Sequence, residues 1–490
     1  MPNLLATKWG RLLAFFCLYV TEGIPLGFTA TAMVAQLRGM GVGPAKCGLF
    51  VGALYAPWAW KWAAGPVVDL VYSNRLGQRR GWIVSMQFFM IASLMLCMRF
   101  DLATQLPTIM LVLFIHNSFC AVQDVAIDAL ACGTLKADEL GTGNGLMFAG
   151  QAIGNAIGGA GVLFLIDYLM GPKSAPIRTQ SEAFHLTYYF IGGSLLLVTL
   201  LIALPLREPP VKRSTGEGDV FEKIVEELQT YVVVAYRSFF LSRTAFLGLL
   251  IAILPGGAAL LALSLQATLG VELRLGNDGI AKMALLSSVV NAAGCFLGGL
   301  ASDYFGRRKS LVVFLVLMSI PTAWLGHGMQ QHGWVMPVIQ VTETTSETMA
   351  SKESTAKADD VSKQPATAKA ESAVAAAVAP TQKPPEELVE LFWICVVFYN
   401  AMYGLMTGSQ IPIFMEITNP AVAATQFTAY MALHNLATTY TAIWQGWSIE
   451  RWGYPTTLFI DATVGLVGIA LIPFLVLNKN PVPEPTAEPH

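Results

Sequence analysis

The sequence has little charge for its length: 13% of its 490 residues are Asp, Glu, Lys or Arg, whereas 54% are hydrophobic. An ordinary soluble domain contains about 25% charged residues. The deficit therefore excludes most soluble enzymes. The formal net charge of −2 provides neither the basic surface of a nucleic-acid-binding protein nor an acidic, solvated scaffold. This composition predicts a protein that crosses a lipid bilayer many times.

The sequence also lacks the motifs of several catalytic and binding classes. Its seven cysteines are scattered, with no C-x-x-C pair and no histidine spacing that would close a metal site. No G-x-x-x-x-G-K-[ST] motif is present, which argues against ATP hydrolysis. No cleavage site follows a short apolar core near the N-terminus, so we expect the first apolar segment to be retained. We predict no enzyme activity, no cofactor, no metal site and no nucleic-acid partner.

Apolar segments of about 20 residues recur along the chain and predict twelve transmembrane helices, which we number as spans 1 to 12. They cover residues 11–34, 45–66, 81–100, 107–131, 143–166, 184–206, 244–268, 280–301, 310–328, 388–414, 424–446 and 456–477. An even number of spans places both termini on one side. The loops and tails of that side hold 16 Lys and Arg residues, against 8 in the short loops of the other side. The positive-inside rule therefore predicts cytoplasmic N- and C-termini.

Two polar segments interrupt this series of spans. Residues 207–243 are charged, and within them residues 219–240 have apolar residues at helical spacing with acids on the other face. This pattern indicates either an interfacial amphipathic helix or a solvated linker helix. Residues 333–386 are rich in Ala, Thr, Ser, Lys and Glu, and we expect a disordered external loop because so few bulky side chains cannot offset the entropy of ordering.

The predicted architecture is an all-α membrane protein of two six-helix halves. The N-terminal half covers residues 1–206, the cytoplasmic linker 207–243, the C-terminal half 244–477 and the cytoplasmic tail 478–490.

Each half contains the same motif after its second span: G-x-x-x-D, then a glycine and paired arginines. The two copies consist of Gly65, Asp69, Arg75, Gly77, Arg79 and Arg80, and of Gly299, Asp303, Gly306, Arg307 and Arg308. In such a motif the aspartate ends a helix, the glycine permits a tight turn, and the arginines bridge carboxylates or carbonyls of neighbouring helix ends. Two copies at matching places indicate an internal repeat.

The spacing of acidic residues supports the repeat. Asp69 precedes Asp128 in span 4 by 59 residues, and Asp303 precedes Glu416 at the end of span 10 by 113. The excess of 54 equals the length of the polar insert 333–386.

Proline and glycine also interrupt the first span of each half, at Pro25 in span 1 and at Pro255 in span 7. Paired interruptions in corresponding spans point to a transport site between the halves. We therefore predict a secondary transporter that rocks its halves around a central site.

Charged residues inside spans are costly and are usually functional. Asn117, Asp124 and Asp128 fall on one stripe of span 4, which must face protein or water. Asp124, in the inner half of the bilayer, is a candidate for proton coupling or substrate contact. Glu22, within the interrupted span 1, is a second candidate for proton coupling. The alternative for Glu22 is a carboxylate tied to a helix end or solvated at the cavity mouth.

Asp128, near the inner interface, is a candidate for an inner gate. We expect it to pair with Arg79, Arg80 or Lys61, and we expect Glu416 to pair with Arg307 or Arg308, when the cytoplasmic side is closed.

Further polar residues within the spans could bind a polar substrate. They are Gln123, Gln151, Asn155, Asn400, Gln410, His434 and Asn435. Such residues also join helices by hydrogen bonds, which is the alternative interpretation.

These residues together resemble the AmpG-like branch of the major facilitator superfamily. The matching residues are Lys61, Pro66, Asp69, Gly77 to Trp82, Gln123 to Asp128, and Ala424 to Phe427. The resemblance covers both halves but not the insert or the tail. It implies a twelve-helix core, alternating access and, for the muropeptide permeases of the branch, proton-driven import of anhydro-muropeptides through the bacterial inner membrane.

The same branch includes acetyl-CoA transporters and siderophore permeases, which stay open as alternatives for the substrate. A non-transporting receptor or scaffold, or a membrane-embedded transferase, is the alternative from a different class. The partners that the resemblance implies are a small-molecule substrate, protons and the lipid bilayer.

Overall fold

The computed structural model of the chain describes residues 3–71, 77–102, 104–136, 139–172, 177–208, 220–240, 242–254, 264–337, 383–417 and 423–475. These residues are almost entirely helical, and they contain no β-strand. The fold is therefore the all-α membrane fold that the sequence predicts. Residue Arg75, most of the linker (209–219), the centre of the predicted external loop (338–382), Pro255 and the tail (476–490) lie outside the described residues.

Helices occupy the predicted spans, and we keep the span numbers for them. Their bounds are Lys8–Gly39 (span 1), Pro44–Ala59 and Ala64–Leu70 (span 2), Arg79–Cys97 (span 3), Leu106–Thr134 (span 4), Leu140–Ala156, Ile157–Gly161 and Val162–Met170 (span 5), Gln180–Val198 and Thr199–Ala203 (span 6), Val220–Phe240 (the linker helix), Arg243–Ile253 and Ser264–Glu272 (span 7), Gly276–Phe305 (span 8), Arg307–Gln331 (span 9), Glu386–Glu416 (span 10), and Ala423–Val464 with Val467–Phe474 (spans 11 and 12).

Nine helices in the described part of the chain are long and apolar enough to cross a membrane. One of them, Gln426–Phe474, contains both predicted spans 11 and 12, which are separated at Gly453 by a positive φ of 80°. Spans 2 and 7 consist of shorter helices. The count of twelve crossings therefore stays a prediction, as does the division into the two halves.

Two local expectations need correction. Span 1 is not broken at Pro25: the helix continues through it, and the chain widens into a π turn at Phe28–Met33. This is a usual response to a residue that lacks an amide hydrogen. The predicted external loop also begins later than residue 333, because Trp334 is buried and the Val335 carbonyl accepts a hydrogen bond from the Tyr454 amide at 2.8 Å.

Glycine allows the closest helix contacts within each half. A Cβ at Gly154 of span 5 would lie 2.4 Å from the carbonyl oxygen of Val20 in span 1. In the C-terminal half, a Cβ at Gly404 of span 10 would lie 2.2 Å from the carbonyl oxygen of Asn291 in span 8. Small residues thus bring these helix pairs into backbone contact, as is common in membranes.

The two halves pack closely at one end of the bundle. We call the end that contains Asn3, Arg79 and Arg307 the N-terminal face, and the end that contains Arg38 and Glu272 the distal face. Towards the distal face the ends of spans 1 and 7 meet, span 5 contacts span 8, and the first part of span 2 packs on span 11. The apolar core of the N-terminal half continues there into spans 7, 8 and 11. The distal face is therefore closed in this structure.

Both motif glycines adopt the positive φ that their turn requires: 89° at Gly77 and 91° at Gly306. We expect Gly306→Ala to destabilise the protein by about 1–3 kcal/mol, because other residues rarely adopt this conformation. Thermal unfolding in detergent measures the effect. The matched control is Gly65→Ala, since Gly65 has helical φ and, like Gly306, no described atom within 4 Å of a Cβ. Equal melting temperatures for the two variants would contradict the expectation.

Candidate transport site

A lysine and an aspartate form an ion pair inside the N-terminal half. Lys61 Nζ lies 2.7 Å from Asp124 Oδ2, and the side chains are 16% and 5% exposed. One helical turn further along span 4, Asp128 Oδ1 accepts a hydrogen bond of 2.5 Å from the Tyr19 hydroxyl of span 1. Spans 1, 2 and 4 thus meet through charged and polar side chains.

Glu22 of span 1 is buried beside this pair. Its Oε2 accepts a hydrogen bond of 3.4 Å from Gln151 Nε2 of span 5, and its Oε1 has no hydrogen-bond partner among the described residues. The charges of Asp124, Asp128 and Lys61 all act on Glu22. We call Tyr19, Glu22, Lys61, Asp124 and Asp128 the carboxylate cluster.

Helix geometry places the cluster within the membrane. A helix rises by about 1.5 Å per residue, so Glu22 lies about 21 Å from the start of span 1 and Asp124 about 15 Å from the end of span 4. Lys61 belongs to the short 3₁₀ turn Lys61–Ala63 that interrupts span 2. This turn contacts span 4 and also span 11, so it lies at the boundary between the halves.

A second polar group joins spans 1, 3 and 4 next to the cluster. The amide nitrogens of Gln87 and Gln123 both donate to Thr21 Oγ1, at 3.2 and 3.0 Å, and all three side chains are buried. Gln123 therefore connects helices in this structure, which is the alternative that its sequence position left open. Sequence reasoning missed Tyr19, Thr21 and Gln87, although polar residues in the middle of apolar spans were the available signal.

The remaining predicted substrate contacts lie apart from these bonds. Asn117 donates to the Leu113 carbonyl of its own helix at 2.9 Å, and Asn400 donates to Ser287 Oγ of span 8 at 3.2 Å. Gln410 is buried in span 10, whereas Asn155, His434 and Asn435 are half-buried in spans 5 and 11. No described contact joins any of them to the carboxylate cluster.

The expected partner of Asp128 is wrong in this structure. Tyr19 occupies Asp128, and Lys61 pairs with Asp124 one turn away. The amides of Arg79 and Arg80 instead donate to the Glu208 carboxylate, because unpaired amides at a helix start attract an anion. The side chain of Arg79 bonds the Val68 carbonyl at 3.0 Å, and that of Arg80 bonds the Leu204 carbonyl.

In the C-terminal half, the structure does bring the predicted partners together. Arg307 Nη1 lies 3.0 Å from Glu416 Oε2. Both residues belong to one half, however, so their bond cannot by itself hold the two halves together. The gate role of this pair, and of Arg308, stays a prediction. Gly299 lies inside the helix of span 8, and the side chains of Asp69 and Asp303 lie outside the described part of the structure.

Two further buried ion pairs were not predicted. At the N-terminal face, Arg11 of span 1 donates to both carboxylate oxygens of Glu139, at 2.9 and 2.6 Å. At the distal face, Arg38 of span 1 pairs with Glu272 of span 7, and both side chains are 0% exposed.

The Arg11 bonds lower the pKa of Glu139, which lies in the loop before span 5, from its ordinary 4.5 to about 2. A lowered pKa means that the ion pair stabilises the folded state fully above about pH 4.5 and loses this effect as the pH falls towards about 2. We therefore expect Glu139→Gln to lower the melting temperature by the same amount from about pH 8 to about pH 5, and by less below. Glu386→Gln is the control, because its pair with Lys383 is 87% exposed on the glutamate side. A difference that changes within the neutral range would contradict the expectation.

Comparisons with known proteins agree with this architecture. A sequence profile described as Major Facilitator Superfamily matches residues 11–341. The chain is 23% identical over 465 residues to the anhydromuropeptide permease of Escherichia coli K12, which covers 92% of this chain and 77% of the permease. It is 22% identical over 326 residues to the putative transporter AmpG 4 of Rickettsia felis, covering 65% of this chain and 74% of that protein.

Solved transporter structures share the fold. The inward-open xylose transporter XylE from E. coli superimposes with a TM-score of 0.63 at 13% identity, covering 96% of this chain and 97% of XylE. The nucleoside transporter NupG (D323A mutant) gives a TM-score of 0.60 at 14% identity, covering 95% of this chain and 99% of NupG.

Proposed function

Because the chain belongs to the major facilitator superfamily, we propose that it is a secondary active transporter that imports anhydro-muropeptides together with protons. The family, the named relatives and the structural neighbours are transporters, so the chain is a multi-pass membrane transporter of small molecules rather than an enzyme. The substrate, the coupling ion and the direction are the proposed part. So are the bacterial inner membrane as its location and the cytoplasmic side of both termini.

The carboxylate cluster is the observation that supports proton coupling. It contains three carboxyl groups and a single ammonium group within the membrane part of the N-terminal half. With every group ionised, two negative charges would lack a positive partner, and an unpaired buried charge costs several kcal/mol. The cluster therefore favours a bound proton, and Glu22, whose Oε1 has no described partner, is a suitable place for it.

The anhydromuropeptide permease of E. coli supports the choice of substrate. Acetyl-CoA and siderophores stay alternatives within the same fold. The two halves, 1–206 and 244–477, would move about the boundary where the Lys61 turn touches span 11. The closed distal face is then the outward side of an inward-facing state.

Uptake into proteoliposomes tests the proposed function. Labelled anhydro-muropeptide, acetyl-CoA and ferric siderophore are offered in parallel under an imposed proton gradient. We expect only anhydro-muropeptide to accumulate, and only while the gradient persists. Accumulation of another substrate would reject the muropeptide assignment. Accumulation that ignores the gradient would reject proton coupling, and a folded protein that transports none of the three would favour a receptor.

A further inference from the structure

The three buried ion pairs of span 1 and its neighbours differ in kind. Arg11–Glu139 and Arg38–Glu272 use a guanidinium group, lie at the two ends of the bundle, and have side chains at most 8% exposed. The third pair, Lys61–Asp124, uses an ammonium group, lies within the membrane part, and is 16% exposed on the lysine side. A guanidinium fork fixes a carboxylate geometrically, whereas an ammonium group is a point charge on a flexible stem that changes partners readily.

The surroundings of Lys61 favour such a change of partner. Lys61 starts a short 3₁₀ turn between two helices, so its backbone is not held within a continuous helix. Its Nζ lies 5.7 Å from the centre of the Trp58 ring, whose face attracts a cation. The turn contacts span 11 of the other half as well as span 4. The ammonium group therefore lies where a substrate between the halves would meet it.

We propose that Lys61 binds a carboxylate of the substrate, in exchange for Asp124, when Asp124 takes up the coupling proton. This inference rests on the proposed proton-coupled import and names the group of the substrate that the site recognises. In the resting state, Lys61 and Asp124 carry +1 and −1. In the loaded state, Asp124 has gained a proton and is neutral, and the substrate carboxylate supplies the −1. Each state leaves the pair neutral, whereas binding of only the proton or only the carboxylate leaves an unpaired buried charge.

The other titratable groups around the pair already have their own bonds or are neutral thiols. They are Tyr19 and Glu22 of span 1 and Cys120 and Asp128 of span 4. Asp128 is held by Tyr19, and Glu22 accepts from Gln151. Asp124 is therefore the carboxylate whose protonation releases Lys61.

Binding to the purified full-length protein tests the inference. The probes are anhydro-muropeptide and the same molecule with its carboxylates converted to carboxamides, both measured by calorimetry. We expect wild type to bind the acid at least about tenfold more tightly than the amide. Lys61→Gln should lose this preference, whereas Asp124→Asn should keep it and bind the acid with little pH dependence. Lys282→Gln is the matched control, because it breaks an exposed lysine–aspartate pair. An undiminished preference in Lys61→Gln would overturn the inference.

A second measurement needs no substrate. Amine-reactive labelling of Lys61, quantified by peptide mass spectrometry against the exposed Lys282, should rise several-fold in Asp124→Asn, because the ammonium group has lost its partner. Unchanged labelling would overturn the release of Lys61. If Lys61 becomes reactive as expected but wild type binds no anhydro-muropeptide, the proposed substrate is wrong and the exchange stands. If wild type binds the acid and Lys61→Gln binds it with equal preference, the proposed function stands and the exchange is wrong.

Discussion

Glu22→Gln and Asp124→Asn each abolish gradient-driven accumulation of substrate while substrate exchange continues. An amide has the shape of the carboxyl group but cannot take up a proton. The variants therefore lose the coupling of substrate movement to the gradient, although the halves can still rock with substrate bound. Net uptake and counterflow in the same proteoliposomes measure the two activities separately. We expect wild-type accumulation to disappear and counterflow to remain within about tenfold of wild type.

The control for this pair of variants is Asp278→Asn. Asp278 is also an ion-paired aspartate, but its side chain is 55% exposed and lies outside the carboxylate cluster. It should transport like wild type. Full accumulation by Glu22→Gln would remove Glu22 from the coupling mechanism, and the same result for Asp124→Asn would remove Asp124. Loss of counterflow together with uptake would show a role in binding or folding instead.

The sequence identifies the cluster only in part, for a physical reason. Glu22, Asp124 and Asp128 are visible because a charge within an apolar span is costly wherever it points. Their partners depend on how separate helices are rotated against one another, which periodicity within a single helix does not encode. Tyr19 was therefore missed, and Lys61 was assigned to Asp128, one turn away from its partner.

The motif glycines show the opposite case. The turns at Gly77 and Gly306 are determined by residues close in sequence, so a local pattern predicts their conformation. The Arg38–Glu272 pair joins residues 234 positions apart. Each of its members lies at a span end, where a charge is unremarkable on sequence grounds.

That distal pair carries the second large expected effect. The guanidinium group of Arg38 and the carboxylate of Glu272 join span 1 to span 7 with no exposure to solvent, and the Tyr454 hydroxyl donates to the same carboxylate at 3.0 Å. Nearby, the Glu450 carboxylate of span 11 accepts the Ala45 amide of span 2 at 2.9 Å. These bonds cross between the halves, unlike the Arg307–Glu416 bond. They therefore stabilise the state in which the distal face is closed.

Glu272→Gln should shift the protein towards a state that is open at the distal face. Removing one partner of a buried ion pair costs about 3–5 kcal/mol, and this cost applies only while the face is closed and the guanidinium is buried. About 1.4 kcal/mol already changes a two-state ratio tenfold. Spin labels at the exposed positions Lys46 and Gln331, in a cysteine-free background, report the distance across the distal face by electron–electron double resonance. We expect a longer-distance population that is minor in wild type to dominate in the variant.

The double variant Arg38→Gln with Glu272→Gln separates a gate from a merely destabilised fold. Without either charge, the closed face buries no ion that lacks its partner, so the distance distribution should return towards that of wild type. Arg307→Gln, which breaks the bond with Glu416 inside one half, should leave the distal distances unchanged. If Glu272→Gln keeps the wild-type distances while remaining folded, the pair does not hold the face closed. If the double variant opens as far as the single one, the effect comes from lost packing at the ends of spans 1 and 7 and not from the charge left behind.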